Sequence, residues 1–334
     1  AETASDYQGK AHNERLTQVA AKGFLGKVYL TMAGFPLNDA AKKAEAQQLF
    51  KEVIDYATAK NKYWMADMDA WNQSWLHEND NKYAIFEIQY IAEAGQGNPM
   101  VTLTVPSNPG TDWCGNNLVT GTHVYIERGL QRHFIAKDEI TGEYLDKRAD
   151  GTLNLKETVD EDGNIITSKG NTFYTKYFES KVKRAKFGKS DMDATIVDRT
   201  YWPQNFQLLR IEDIMLLYAE CVGNTTEGRE LVNRIRRRAG LADLDINLSE
   251  EEFQKAVQDE RRYELAEEGV RWFDLVRRNE YVDTIKQMFI DDDDTENGTY
   301  KQYANRVNAD MYLYPIPQSQ IEVRKGLYTQ NKGY

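Results

Sequence analysis

Glu260 and Glu264 stand one helical turn apart in the stretch Glu-Arg-Arg-Tyr-Glu-Leu-Ala-Glu-Glu-Gly-Val-Arg-Trp-Phe-Asp-Leu-Val-Arg-Arg, residues 260–278. Two acids at this spacing can work as general acid and base, or as ligands to a metal ion. Both, however, continue the apolar stripe of Phe253, Ala256 and Val257, so they fall where core side chains are expected. Burying a carboxylate costs on the order of several kcal/mol unless it is paired. Cations are at hand in Arg261, Arg262 and Arg271, and upstream in Arg234, Arg236, Arg237 and Arg238. The pattern predicts a buried salt-bridge network between helices, with Glu260, Arg261, Glu264, Arg271 and Asp274 as members. A catalytic or metal-binding pair is the alternative. So many guanidinium groups depress a carboxylate pKa, which argues against a general acid.

Other chemistries find little in the chain. His12, His77, His123 and His133 lack metal-ligand spacing, and no G-x-S-x-G or P-loop occurs. Neither cysteine has a catalytic signature; Cys221 falls on an apolar helix stripe and Cys114 beside Trp113 in a Gly/Asn/Pro-rich loop, leaving a single disulfide between them open. The acidic runs at 160–164 and 291–297 miss the Gly and terminal Glu spacing of an EF-hand, so no metal site and no cofactor is expected. Glycoside hydrolysis needs two carboxylates, which 53 acids do not exclude, but no motif selects a pair. A net charge of -11 argues against a nucleic-acid partner, and no apolar run reaches the roughly 20 residues of a membrane span.

The elements that would position these groups are mainly helical. Residues 16–31 carry Leu16, Val19, Ala20, Phe24 and Val28, with small residues interspersed where a second helix can approach; residues 40–59 supply that helix through Leu49, Phe50, Val53, Ile54 and Ala57. Leu25-Gly26-x-x-Tyr29 and Ala46-x-x-x-Phe50 match part of the tetratricopeptide pattern, without a 34-residue period. Residues 83–90 read as a strand, and 160–164 as a hairpin turn. From 95 to 201 the helical period disappears, and so long an irregular stretch inside a compact protein signals function. Helices resume at Arg210, end at Gly223 and Gly240, and restart at Ser249, where Glu252 completes a capping box. This divides the chain into a helical hairpin (1–62), an irregular aromatic-rich ligand region (63–200), a helical repeat region (201–290), and an acidic loop with an extended tail (291–334).

Six stretches in order resemble one family, the SusD/RagB nutrient-binding proteins. They are Arg15 to Tyr29, the strand with Glu87 and Ile88, Asp146-Lys-Arg148, Trp202 with Arg210 to Glu220, Leu231 to Gly240 leading into residues 260–278, and Tyr314-Pro-Ile-Pro317 with Gln330-Asn331. The resemblance implies a mostly α, SusD-like fold in which tetratricopeptide-type hairpins scaffold an irregular ligand-binding region with a few short strands. It implies non-catalytic binding of a glycan at the outer-membrane surface and delivery to a SusC-like TonB-dependent transporter. Such proteins are lipid-anchored lipoproteins of Bacteroidetes. The chain matches their C-terminal two thirds, so the anchor and the first third of the fold are not among these residues. A peptide or other nutrient as cargo, or a protein-binding adaptor built on the repeats, are the other readings of the scaffold.

The matching motifs are structural, so ligand contacts are sought by chemistry. Sugar rings stack their C–H faces on aromatic rings while amides and guanidinium groups take their hydroxyls. Trp113, flanked by Asp112, Asn116 and Asn117 in the loop 106–121, is the leading candidate. Trp71 and Trp75 share a helical face, either as a platform or as a cap on the neighbouring core; Tyr125, Tyr174 and Tyr177 follow. Trp64, Trp202 and Trp272 read as core. Two or three stacked rings at about 0.5–1.5 kcal/mol each predict micromolar to millimolar binding.

Overall fold

The computed structural model describes residues 15–76, 81–93, 95–104, 126–154, 173–178, 185, 202–292, 299–324 and 326–334. The expected loop 106–121, Tyr125, Cys114 and the hairpin at 160–164 lie outside the described residues.

The chain opens with a helical hairpin, α1 (Gln18–Ala33) and α2 (Ala41–Lys60). Thr17 caps α1 by accepting from the Ala20 N–H at 3.1 Å, and Asn61 ends α2 in the left-handed region at φ 48°. The small residues of α1 serve the close approach: a Cβ on Gly26 would stand 2.5 Å from the Phe50 ring, and one on Gly23 would stand 2.6 Å from Leu209. The two halves of the tetratricopeptide-like pattern thus meet at the Gly26–Phe50 contact.

After α3 (Met68–Ser74), strand β1 (Ala84–Ile88) pairs antiparallel with β2 (Phe206–Arg210), through Ala84 to Arg210 and Ile88 to Phe206. More than a hundred residues separate the partners, and the pairing ties the irregular segment to the helical repeats. Between the strands stand the short α4 (Met100–Thr104), α5 (Arg128–Ile135) and α6 (Ala149–Thr152). β2 runs directly into α7 (Ile211–Val222), followed by α8 (Thr226–Arg238), α9 (Glu250–Glu264), α10 (Arg271–Arg277) and α11 (Tyr281–Asp291). Ser249 and Glu252 form the expected capping box on α9. Two short helices, α12 (Thr299–Ala304) and α13 (Gln318–Val323), lie in the tail.

Helix α7 carries the centre of the main core. Ile214, Met215, Leu216 and Leu217 pack against Phe50 and Val53 of α2, Val232 and Ile235 of α8, and Phe253 and Val257 of α9. The tail is folded back by amide pairs: Gln330 accepts from the Ile316 N–H at 2.7 Å and donates to its carbonyl at 2.9 Å, while Asn331 donates to the Tyr314 carbonyl. No helix among the described residues is long and apolar enough to cross a membrane.

Candidate functional site

The carboxylates of α9 fall where their stripe directs them, fully inside the protein. Glu264 is sealed from solvent and receives three arginines: Arg210 at 3.0 Å and Arg238 at 2.6 Å on Oε1, and Arg148 at 2.9 Å on Oε2. Glu260 accepts from Arg148 at 2.7 Å and from Arg236 at 3.3 Å. Arg148 grips Asp146 through Nε and Nη2, and Asp146 also meets His133 at 2.8 Å. Glu212 bridges Arg210 and Arg238; Glu268 accepts from Arg210 twice and from Lys176 at 2.7 Å. Asp146, Glu212, Glu260, Glu264 and Glu268 thus balance Arg148, Lys176, Arg210, Arg236 and Arg238.

A second cluster sits on the other side of α9. Arg261 donates to Asp213 at 2.8 Å and to Asp274 at 3.0 Å, Lys27 reaches Asp213 from α1, and Arg277 bridges Asp274 and Glu220. Arg278 also pairs with Glu220.

Burial by itself would neutralise Asp146, Asp213, Glu220 and Glu264, and the pairing overrides it. Glu264 is opposed by burial but held well below the carboxylate range by Arg238, Arg210 and Arg148. Asp146 and Asp213 are also depressed, and Glu220 falls to about 2 through Arg277 and Arg278. Lys176 goes down because its burial outweighs Glu268. A carboxylate locked ionised and dry cannot donate a proton to a substrate.

Of the network predicted from sequence, Glu260, Glu264, Arg261 and Asp274 are all buried and paired, in two adjoining clusters. Arg271 is the correction: it sits half-buried on α10, and no ion pair joins it to a carboxylate among the described residues. The turn at Glu267 (φ 70°) and Gly269 (φ 73°) redirects the chain between α9 and α10, so the arginine leaves the stripe of Glu260 and Glu264. Sequence reasoning missed Arg148, Lys176, Arg210, Glu212 and Glu268. The available signal was an arginine immediately preceding the largely apolar helix α7, whose acids Glu212, Asp213 and Glu220 need partners, and a lysine inside the aromatic run 173–178.

Trp71 and Trp75 are completely enclosed, 5.7 Å apart and edge to face. Tyr177 packs on Trp75 and is itself stacked on Phe206, while Lys176 and Arg210 cover the Trp75 ring. This corrects the platform reading for the pair and favours the cap, because no ring face is open to a ligand. Trp202 is buried; Trp64 lies under Arg234 and Arg238. Cys221 is a free thiol whose burial pushes its pKa up to about 12. Trp113, Asp112, Asn116, Asn117 and Tyr125 lie outside the described residues.

One large cleft opens among the described residues, with a volume of about 1340 Å³. Gln254, Lys255, Gln258 and Asp259 of α9 form one wall, and Asp283, Thr284, Gln287 and Met288 of α11 face them. Arg271 and Trp272 of α10 close one side, and Glu127, Leu130 and Tyr174 another. Trp272, expected in the core, is only half-buried and leans on Tyr281 and on the exposed Tyr314. Glu267 also lines the cleft; burial raises its pKa to about 8 against the pull of Lys176.

Comparison with known proteins agrees with this architecture. The sequence profile of the SusD family matches residues 37–334. SusD-like protein P38 of Formosa agariphila is 34% identical over 118 residues, 32% of this chain and 22% of that protein; SusD-like protein P25 of the same organism is 26% identical over 161 residues, 45% of this chain and 28% of that protein. A SusD homologue from Bacteroides thetaiotaomicron superimposes with a TM-score of 0.70 at 21% identity, covering 98% of this chain and 66% of its own. Surface glycan-binding protein A from B. thetaiotaomicron, in complex with laminarihexaose, gives 0.65 at 19% identity over 96% of this chain and 65% of its own. The chain therefore spans about two thirds of these structures. It belongs to the SusD family.

Proposed function

From membership of the SusD family, we propose that this protein captures an oligosaccharide without transforming it and passes it to a TonB-dependent transporter. The observation that carries the non-catalytic half is the fate of Glu260 and Glu264. The acid pair singled out by sequence is sealed from solvent and clamped by arginines, so it serves the scaffold. Support for the glycan comes from the fold shared with a surface glycan-binding protein holding laminarihexaose and with a laminarin-binding SusD-like protein. The family relationship supports placing the intact protein at the outer-membrane surface on a lipid anchor, beside its transporter.

The proposed primary contacts are Trp113 for ring stacking, with Asp112, Asn116, Asn117 and Tyr125 for hydroxyl groups. The test is calorimetric titration with a panel of oligosaccharides, repeated on Trp113→Ala. Saturable binding at micromolar to millimolar concentration that the substitution abolishes supports capture and its site. Absence of binding across the panel moves the cargo to a peptide or another nutrient.

A further inference from the structure

We propose that the cleft between α9, α10 and α11 is a second carbohydrate site, selective for neutral over acidic oligosaccharides, with Trp272 as its stacking surface and Arg271 as its hydroxyl donor. The inference rests on the reading of the protein as a glycan binder and assigns a site to residues other than Trp113 and its neighbours.

Size comes first. At about 1340 Å³ the cleft exceeds the roughly 300–1,000 Å³ of a drug-sized pocket and has room for several sugar units. Its chemistry comes next. Arg271 is the unusual group: half-buried, lining the cleft, and making neither an ion pair nor a hydrogen bond to any described residue. The other three cations of the lining are engaged, Lys255 with Asp259, Arg261 with Asp213 and Asp274, and Arg262 with Glu127. A guanidinium left half-buried without a partner keeps its donors for a ligand. Trp272 stands next to it in sequence, borders the same cleft, and continues onto the Tyr314 ring, which is 76% exposed. Aromatic surface beside a free fork of N–H donors suits a ring with apolar C–H faces and vicinal hydroxyls.

Charge then selects among ligands. Eight carboxylates and the mostly protonated Glu267 line the cleft against four basic side chains, and Glu251 and Asp283 at its surface have no ion pair among the described residues. A uronate or sulfate ester entering there meets like charge, which costs affinity and slows encounter. A lysine-rich peptide is attracted by the same acids, yet it must settle against Arg271, whose neighbour Arg262 is also positive. A neutral polyol escapes both penalties. It can donate hydroxyls to the acids and to the carbonyl oxygens of Gln258 and Gln287, and accept from Arg271.

The experiment titrates laminarihexaose, maltohexaose, cellohexaose and xylohexaose, with hexagalacturonate and hexalysine as charged controls. Each is tested on the wild type, on Trp113→Ala, on Arg271→Gln and on the double variant. Arg271 has no ion pair to lose among the described residues, so Arg271→Gln should unfold at the wild-type temperature; Trp272→Leu provides an independent second lesion. The expected result is saturable binding of a neutral hexasaccharide that persists in Trp113→Ala and weakens about tenfold or more when Arg271→Gln or Trp272→Leu is added. Hexagalacturonate should bind at least tenfold more weakly than that sugar. If Trp113→Ala abolishes all sugar binding, or Arg271→Gln binds as tightly as wild type, the cleft is not a sugar site while glycan capture stands. Tighter binding of hexagalacturonate or hexalysine, sensitive to Arg271→Gln, overturns the neutral class. If no oligosaccharide binds the wild type, the glycan reading and the cleft fall together.

Discussion

Glu264 is the side chain on which most of the buried charge depends, since Arg148, Arg210 and Arg238 all donate to it. Glu264→Ala leaves three guanidinium groups under-compensated in a dry interior and should lower the free energy of unfolding by about 3–5 kcal/mol, read from the urea midpoint. The pH dependence follows from the same groups. Asp146, Asp213, Glu220 and Glu264 bind protons more weakly folded than unfolded. Their stabilisation is complete above the unfolded carboxylate pKa of about 4 and disappears as pH falls through the folded values, so denaturation should steepen between about pH 4 and 2. Glu267 has the opposite sign. With its pKa raised to about 8, its contribution is full at low pH and is lost as pH rises from about 4.5 through 8. Glu267→Gln, which keeps an acceptor for the Lys176 N–H, should remove this decline in a series of thermal melts from pH 5 to 9. Sequence reasoning placed Glu260 and Glu264 in the interior correctly because helical periodicity is local. It missed Arg148 and Arg210 as partners, since nothing local signals that residues 50 to 120 positions away converge on one carboxylate.

At the scale of elements, two contacts hold the repeat geometry. α1 lies on α2 at Gly26, and Gly26→Ala forces a methyl into the Phe50 ring, so it should cost about 1–3 kcal/mol. Ser249→Ala removes half of the capping box of α9 and should cost about 1 kcal/mol. Urea denaturation of the two variants and their double should show additive losses, because the sites share no partner. Helix limits were readable to within two residues at α1, at α2 and at the capped start of α9, whereas α9 ends at Glu264, short of the break expected at Gly269. Strand β2 was not anticipated: Phe206 to Arg210 is too short to show a period, and it becomes a strand by pairing with β1. Trp71 and Trp75 do share a helical face, as their spacing requires. Whether that face meets water or Tyr177 was settled by the packing of residues 173–178.

Across the whole molecule, a net charge of -11 and an acidic cleft set the expected behaviour toward ligands. Affinity for a neutral oligosaccharide should change by less than about twofold between 0.05 and 0.5 M salt, whereas any binding of an acidic one should strengthen as salt screens the repulsion; calorimetry at two ionic strengths checks both. The motifs that identify the family lie in the repeats, and their physical content is helix capping, close packing at glycine, and buried charge. These features are encoded within a few residues of one another, so the mostly helical scaffold, the family and the burial of the α9 acids were legible from the residues alone. The cleft was invisible at that level because its lining comes from residues 127, 130, 174 and 251–291, which no spacing rule connects. Which carboxylates share an arginine, that Arg271 has no such partner among the described residues, and that Trp272 borders a cavity instead of a core emerge only in the folded molecule. Those outcomes depend on how separate helices are set against one another, and that arrangement is fixed by packing over the whole chain.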